Sequence, residues 1–171
     1  MRGQILTALL VGVAMLTSTG LRAQQPGAIP EKLPFNTPYG APIGAQRAQL
    51  LIQAAAAEAT KRNWPMNIAV SDSGGNLVAF LRMDGAQIAS IAIAEHKARV
   101  AVKYRRPTLF FEEAVQKSDI RYIMTLDDII ASQGGIPLIE DGKIIGAIGC
   151  SGGIGPQDQA VCTAGAAVIN K

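Results

Sequence analysis

Five positive charges fall within ten residues of the chain: Lys97, Arg99, Lys103, Arg105 and Arg106. Such a run has two readings. A solvated cationic helix end complements the dipole at its carboxyl terminus. Alternatively, the run forms an anion-binding rim, where arginine offers a carboxylate a two-pronged fork. His96 lies beside it and is the only histidine in the sequence. A His–His or His–Cys metal pair is therefore excluded, whereas a single imidazole still suffices as an axial haem ligand. Asp119, Asp127 and Asp128 lack the spacing of a calcium or magnesium loop.

Gly149-Cys150-Ser151-Gly152-Gly153 fits the G-x-S-x-G pattern of a hydrolase elbow. The chemistry needs a base beside the serine, and His96 precedes it on a strongly helical segment, so a serine hydrolase is disfavoured. The same glycines form a turn before a helix but lack the Lys-Ser/Thr of a phosphate loop. A tight, close-packed turn with Asp158 near the helix start is the preferred reading. Cys150 and Cys162 permit a disulfide in an oxidising compartment; two buried small residues, one on a strand and one on a helix, are preferred.

The elements that must position these groups follow from periodicity. Arg2, the apolar run Ile5 to Leu16 and Leu21-Arg22-Ala23 read as a secretory signal over residues 1–23, cleaved after Ala23. Losing Arg2 and Arg22 brings the formal net charge of +3 down to +1, which removes most of the case for nucleic-acid binding. The run is too short for a membrane anchor. Of the 171 residues, 49% are apolar and 17% charged, which suits one compact domain. Residues 24–44 hold five prolines and read as an extended tail, either mobile or lying across a partner subunit. The domain proper spans residues 45–171.

Within it, the spacing predicts a helix over Ala45–Arg62, a hairpin of Asn67–Asp72 and Leu77–Met83, and a long central helix over Ala86–Tyr104. A further helix follows over Leu109–Gln116 with Thr108 as its N-cap. Arg121–Ser132 reads as a short strand or irregular segment. Ile136–Glu140 and Lys143–Cys150 form a second hairpin around Asp141-Gly142, and a helix over Gln157–Ile169 closes the chain. That order is α+β with an antiparallel sheet. The central helix has two apolar faces at about 100° per residue: Ile91, Ala94, Ala98, Ala101 and Val102 on one, Ile93, Val100 and Tyr104 on the other. The second face needs a partner, whether a subunit, a flat ligand or the tail.

Several motifs, taken in order, resemble one family. They are Ile68-Ala69-Val70-Ser71-Asp72 with Gly74-Gly75, Arg82-Met83-Asp84, Lys97-Ala98-Arg99, Arg105-Arg106-Pro107-Thr108, Gly134-Gly135-Ile136-Pro137, Asp141-Gly142-Lys143 through Gly149, Ser151-Gly152-Gly153 and Asp158. Over residues 45–170 the chain is similar to the GlcG/HbpS family. The resemblance implies a profilin-like α/β/α arrangement, with helices on both faces of a five-stranded antiparallel sheet. It also implies homo-oligomers and haem as ligand, with haem degradation optional. Carried over to matching positions, it implies a cofactor site at Lys97, Arg105, Arg106 and Thr108, with Asp72 and Gly152-Gly153 as lining. His96 does not match a family position; it joins the site as an opportunistic iron ligand, with the Thr108 hydroxyl as the alternative. Tyr104, Phe110, Phe111 and Tyr122 would line a shallow apolar cavity. The expectation is therefore an exported, periplasmic or secreted, haem-binding protein. Its rivals are an accessory protein or enzyme acting on a small carboxylate, and a structural oligomer.

Overall fold

The computed structural model describes residues 32, 33 and 35–170. The chain divides into two units, residues 1–32 and 33–171, and the second holds the fold. The expected signal and most of the tail lie outside the described residues. Among those residues no helix is long and apolar enough to cross a membrane.

The elements are α1 (Ala45–Lys61), β1 (Asn67–Asp72), β2 (Leu77–Arg82), α2 (Ser90–Lys103), α3 (Leu109–Gln116), a 3-10 helix (Arg121–Thr125), β3 (Gly135–Glu140), β4 (Lys143–Ser151) and α4 (Gly155–Ala166). The strands form an antiparallel sheet in the order β2-β1-β4-β3. Helices α1 and α4 pack on one face and α2 on the other. Among the described residues four strands make the sheet, and the expected fifth is not formed. Strand β1 ends with Asp72 opposite Gly146, so the start of β4 is left to the tail. There Tyr39 makes a single parallel bridge to Ile144. Pro38 and Pro42 flank the bridge, and a proline has no N–H to extend a ladder.

The α1/α4 face is bulky: Ile68, Val70, Leu138 and Ile148 meet Leu51, Ile52, Ala55 and Val161. The α2 face is small. Ala69 packs against Ala94 and Ala98, and Ala147 against Ala101 and Val102. A Cβ at Gly149 would collide with the Ala94 carbonyl and the Ala98 amide, so glycine there lets α2 lie directly on the sheet.

Three expectations are corrected and one is decided between its alternatives. Cys150 and Cys162 are joined in a disulfide that ties β4 to α4, their Cα atoms 5.6 Å apart. The central helix begins at Ser90, because Gly85 turns with φ 78° and turns at residues 84–85 and 88–89 precede the first helical residue. Of the two alternatives for Arg121–Ser132, the strand is not formed: Arg121–Thr125 is a 3-10 turn and the rest is irregular. Finally, the second apolar face of α2 is covered within the chain: Val100 and Tyr104 pack with Phe111, Ala114 and Ile123 of α3 and the 3-10 helix.

Candidate functional site

The residues singled out from the sequence separate into three places. The first is a buried polar knot. The Lys97 ammonium donates to Asp158 Oδ2 at 2.7 Å and to the Cys150 carbonyl at 3.2 Å. Asp158 Oδ1 accepts the Gly152 and Gly153 amides at 3.1 and 3.0 Å. Burial pushes the Asp158 carboxyl above its usual range, against the pull of the Lys97 charge and the two amides. Beside this pair, Thr108 and Gly135 bond in both directions. The Thr108 N–H donates to the Gly135 carbonyl at 3.0 Å, and the Gly135 N–H donates to Thr108 Oγ1 at 2.9 Å. Thr108 stands at the N-cap of α3, as expected, but its hydroxyl makes no capping bond to that helix.

Added Cβ atoms at Gly134 and Gly135 would strike Asp158, Lys97 and Thr108, which explains the glycine pair. Lys97 and Thr108 are buried and fully engaged. Expected as cofactor-binding residues, the two side chains here bond within the chain, Lys97 to β4 and α4 and Thr108 to β3. Asp72 is likewise committed, accepting the Gly74 and Asn76 amides of the first hairpin turn at 2.8 and 2.9 Å.

The second place is a cluster on Asp128. Its carboxylate accepts Arg99 twice, at 3.0 and 3.1 Å, Lys103 at 2.6 Å, and pairs with His96 Nε2 at 2.9 Å. The three side chains stand on one stripe of α2, three and four residues apart. Bonded first by Arg99, the Asp128 carboxyl is held far below the usual carboxylate range. His96 therefore spends Nε2 on a carboxylate, which argues against that nitrogen as an iron ligand. Nothing in the spacing of Asp128 along the chain points to this role as a hub, because its partners lie 25 to 32 residues away.

The third place is the carboxyl end of α2. Arg105 adopts φ 54°, turning the chain between α2 and α3. Arg106 Nε donates to the Tyr104 carbonyl at 2.9 Å. Its guanidinium lies 3.1 Å from the ring centre of Phe35, 4.7 Å from Phe110 and 5.7 Å from Phe111. Edge-to-face contacts link Phe35, Phe110, Phe111 and Tyr104, with centroids 5.3 to 5.5 Å apart. The Arg105 guanidinium lies 4.6 Å from the Tyr39 ring centre. The structure thus brings together Arg105, Arg106, Tyr104, Phe110 and Phe111. Tyr122 stands exposed on the 3-10 helix. Phe35 and Tyr39 were missed, although they are the only aromatic residues among the prolines of the tail. A separate shallow concavity of about 420 Å³, lined by Arg47, Ile139, Glu140, Asp141, Val168 and Ile169, contains none of these groups.

Residues 43–167 match the model of a family described as "Haem degrading protein HbpS-like". The chain belongs to this HbpS-like family. Among its relatives, Protein GlcG of Escherichia coli (strain K12) is 41% identical over 109 residues, which is 64% of this chain and 81% of GlcG. A solved HbpS double mutant from Streptomyces reticuli superposes with a TM-score of 0.71 at 27% identity, covering 85% of this chain and all of that one. The solved PduOC:heme complex matches with a TM-score of 0.68 at 26% identity, covering 76% of this chain and 96% of that one. The match to the HbpS-like family takes in the buried knot, the Asp128 cluster and both arginines. It begins after Phe35 and Tyr39.

Proposed function

We propose that the protein is an exported haem-binding protein whose ligand docks at the carboxyl end of α2. The observation that carries this is Arg106 set against Phe110 and Phe111 with Arg105 beside it at the turn into α3. A flat macrocycle with two carboxylates asks for that pairing of aromatic faces and guanidinium forks. Membership of a family described as haem-degrading, and likeness to PduOC, which has been solved with haem, support the reading.

The residues fit the carboxylates and one apolar face of haem. They fit its iron less well, because His96 Nε2 is paired with Asp128 and Thr108 is buried. Bound haem would supply iron and oxygen chemistry, and the chain supplies position and polarity. Sequestration or delivery therefore ranks ahead of degradation. A second reading, a small carboxylate as ligand, draws on the covered guanidinium faces, since a carboxylate approaches arginine at its edge.

Export rests on the signal read in residues 1–23, and the disulfide suits the oxidising compartment it would reach. A homo-oligomer is supported by the exposed apolar residues Ile120, Tyr122, Met124 and Leu126. The test is a hemin titration followed in the Soret band, with Arg106→Ala and His96→Ala variants and an unrelated control protein. Saturable binding, weakened about tenfold or more by Arg106→Ala, is expected for a charge-assisted contact. Binding no tighter than the control refutes the haem reading and moves the test to small carboxylates.

A further inference from the structure

We infer that residues 35–41 form a competitive strap over the Arg105/Arg106 site, so that a flat anionic ligand binds by displacing Phe35 and Tyr39. This rests on the reading of that site given above. The two rings occupy the guanidinium faces that a macrocycle would stack on, Phe35 on Arg106 at 3.1 Å and Tyr39 on Arg105 at 4.6 Å. Phe35 also meets Phe110 edge-on, at 5.3 Å between centroids, and so covers the nearest apolar surface as well.

Anchoring grows stronger toward α1. Ile43 is buried in the core and its N–H donates to the Ile145 carbonyl at 2.8 Å. Gly40 and Pro38 exchange backbone bonds with Ile144, both at 2.8 Å, and the Tyr39 hydroxyl donates to the Val102 and Lys103 carbonyls at 3.0 and 3.1 Å. Phe35 is held by ring contacts, and Leu33 before it is exposed. A segment fixed at Ile43 and held at its far end by weak individual contacts can peel back without disturbing the sheet. A small carboxylate, meeting a guanidinium at its edge, does not require the strap to leave. The strap therefore discriminates by shape, against flat ligands.

The test compares the full chain with a Phe35→Ala/Tyr39→Ala variant and a Phe35→Leu/Tyr39→Leu variant, which keeps apolar bulk but removes the aromatic faces. The probes are hemin and anilinonaphthalene sulfonate, a flat anionic fluorophore without iron. Both variants should bind both probes about tenfold more tightly, the order expected for losing a competing cation–π contact at each arginine. Adding Arg106→Ala should abolish the gain. Saturating the unmodified chain with hemin should strip hydrogen-exchange protection from the Gly40 and Ile144 amides. A gain for the fluorophore alone, with no specific hemin binding in any form, supports the strap while refuting haem. Equal or weaker binding of both probes in both variants overturns the strap, as does protection that persists at hemin saturation.

Discussion

Lys97→Met deletes the most deeply buried charge in the fold while keeping the length of its stem, so nearly no cavity forms. The side chains of Lys97 and Asp158 are 1% and 4% exposed, which places the pair beyond the reach of screening by solvent. Removing one partner of such a pair costs about 3–5 kcal/mol, because the remaining charge is left buried. Asp158 would keep the Gly152 and Gly153 amides, which places the expected loss at the lower end, about 3 kcal/mol.

The loss depends on pH in a direction that can be worked out. Burial raises the folded pKa of Asp158 above its usual 3.8, so the native state keeps a proton that the unfolded chain has released. Stability from this group is greatest at low pH and falls as pH climbs through that window. Deleting the ammonium raises the folded pKa further and extends the window upward. The deficit of Lys97→Met should therefore shrink between pH 7 and pH 5, and adding Asp158→Asn should recover part of it at pH 7. Urea unfolding at the two pH values reads all three quantities. A loss under about 1 kcal/mol at pH 7, the range of an exposed pair, refutes the reasoning, as does a deficit that does not shrink at pH 5.

Three other outcomes are expected. Reducing the disulfide, or replacing Cys150 and Cys162 by alanine, should lower stability by about 3 kcal/mol, as for a closed loop of this order, read as a drop in Tm with reductant. Asp128→Asn should cost only about 1 kcal/mol at pH 7 and less in high salt, because Arg99 and Lys103 are 38% and 45% exposed. With its folded pKa depressed, Asp128 contributes stability above 3.8 that is lost as pH falls below it, so acid unfolding curves of the variant should be flatter there. Gly149→Ala forces a methyl between β4 and the α2 backbone and should destabilise by about 1–3 kcal/mol or more in thermal unfolding; a neutral result would mean that α2 can lift from the sheet.

The hairpins were legible because their alternation and turn residues are local signals: β1 runs over the expected Asn67–Asp72, and the second hairpin turns at Asp141-Gly142, whose φ values are 48° and 70°. The helices were legible in the same way, down to the ends of α3. What local pattern cannot show is which partner a side chain meets. Lys97 reads as one of five clustered cations, yet it points into the sheet layer toward a residue 61 positions away. Thr108 reads as a cap, yet its hydroxyl serves β3. The second face of α2 reads as an interface, yet α3 returns to cover it. Each case has the same origin: the partner of the group lies on another element of the chain, where local spacing does not reach.

That pattern explains why a family resemblance carries the fold so much further than the site. Lys97, Thr108, Gly134-Gly135, Gly152-Gly153 and Asp158 contact one another or lie against one another's atoms, and together they lock five elements. Substituting one leaves a buried charge, an unpaired amide or a steric clash, so these positions are constrained by packing and hydrogen bonding whatever the ligand is. The carboxyl end of α2 is under no such constraint. Arg105, Arg106 and Phe110 are at least partly exposed, and the rings that cover the arginines come from a tail outside the family match. The residues of the knot therefore specify the scaffold and say little about the ligand. Two chains can share every residue of the knot and still bind different molecules, and in this one the two arginines are covered by rings from the tail.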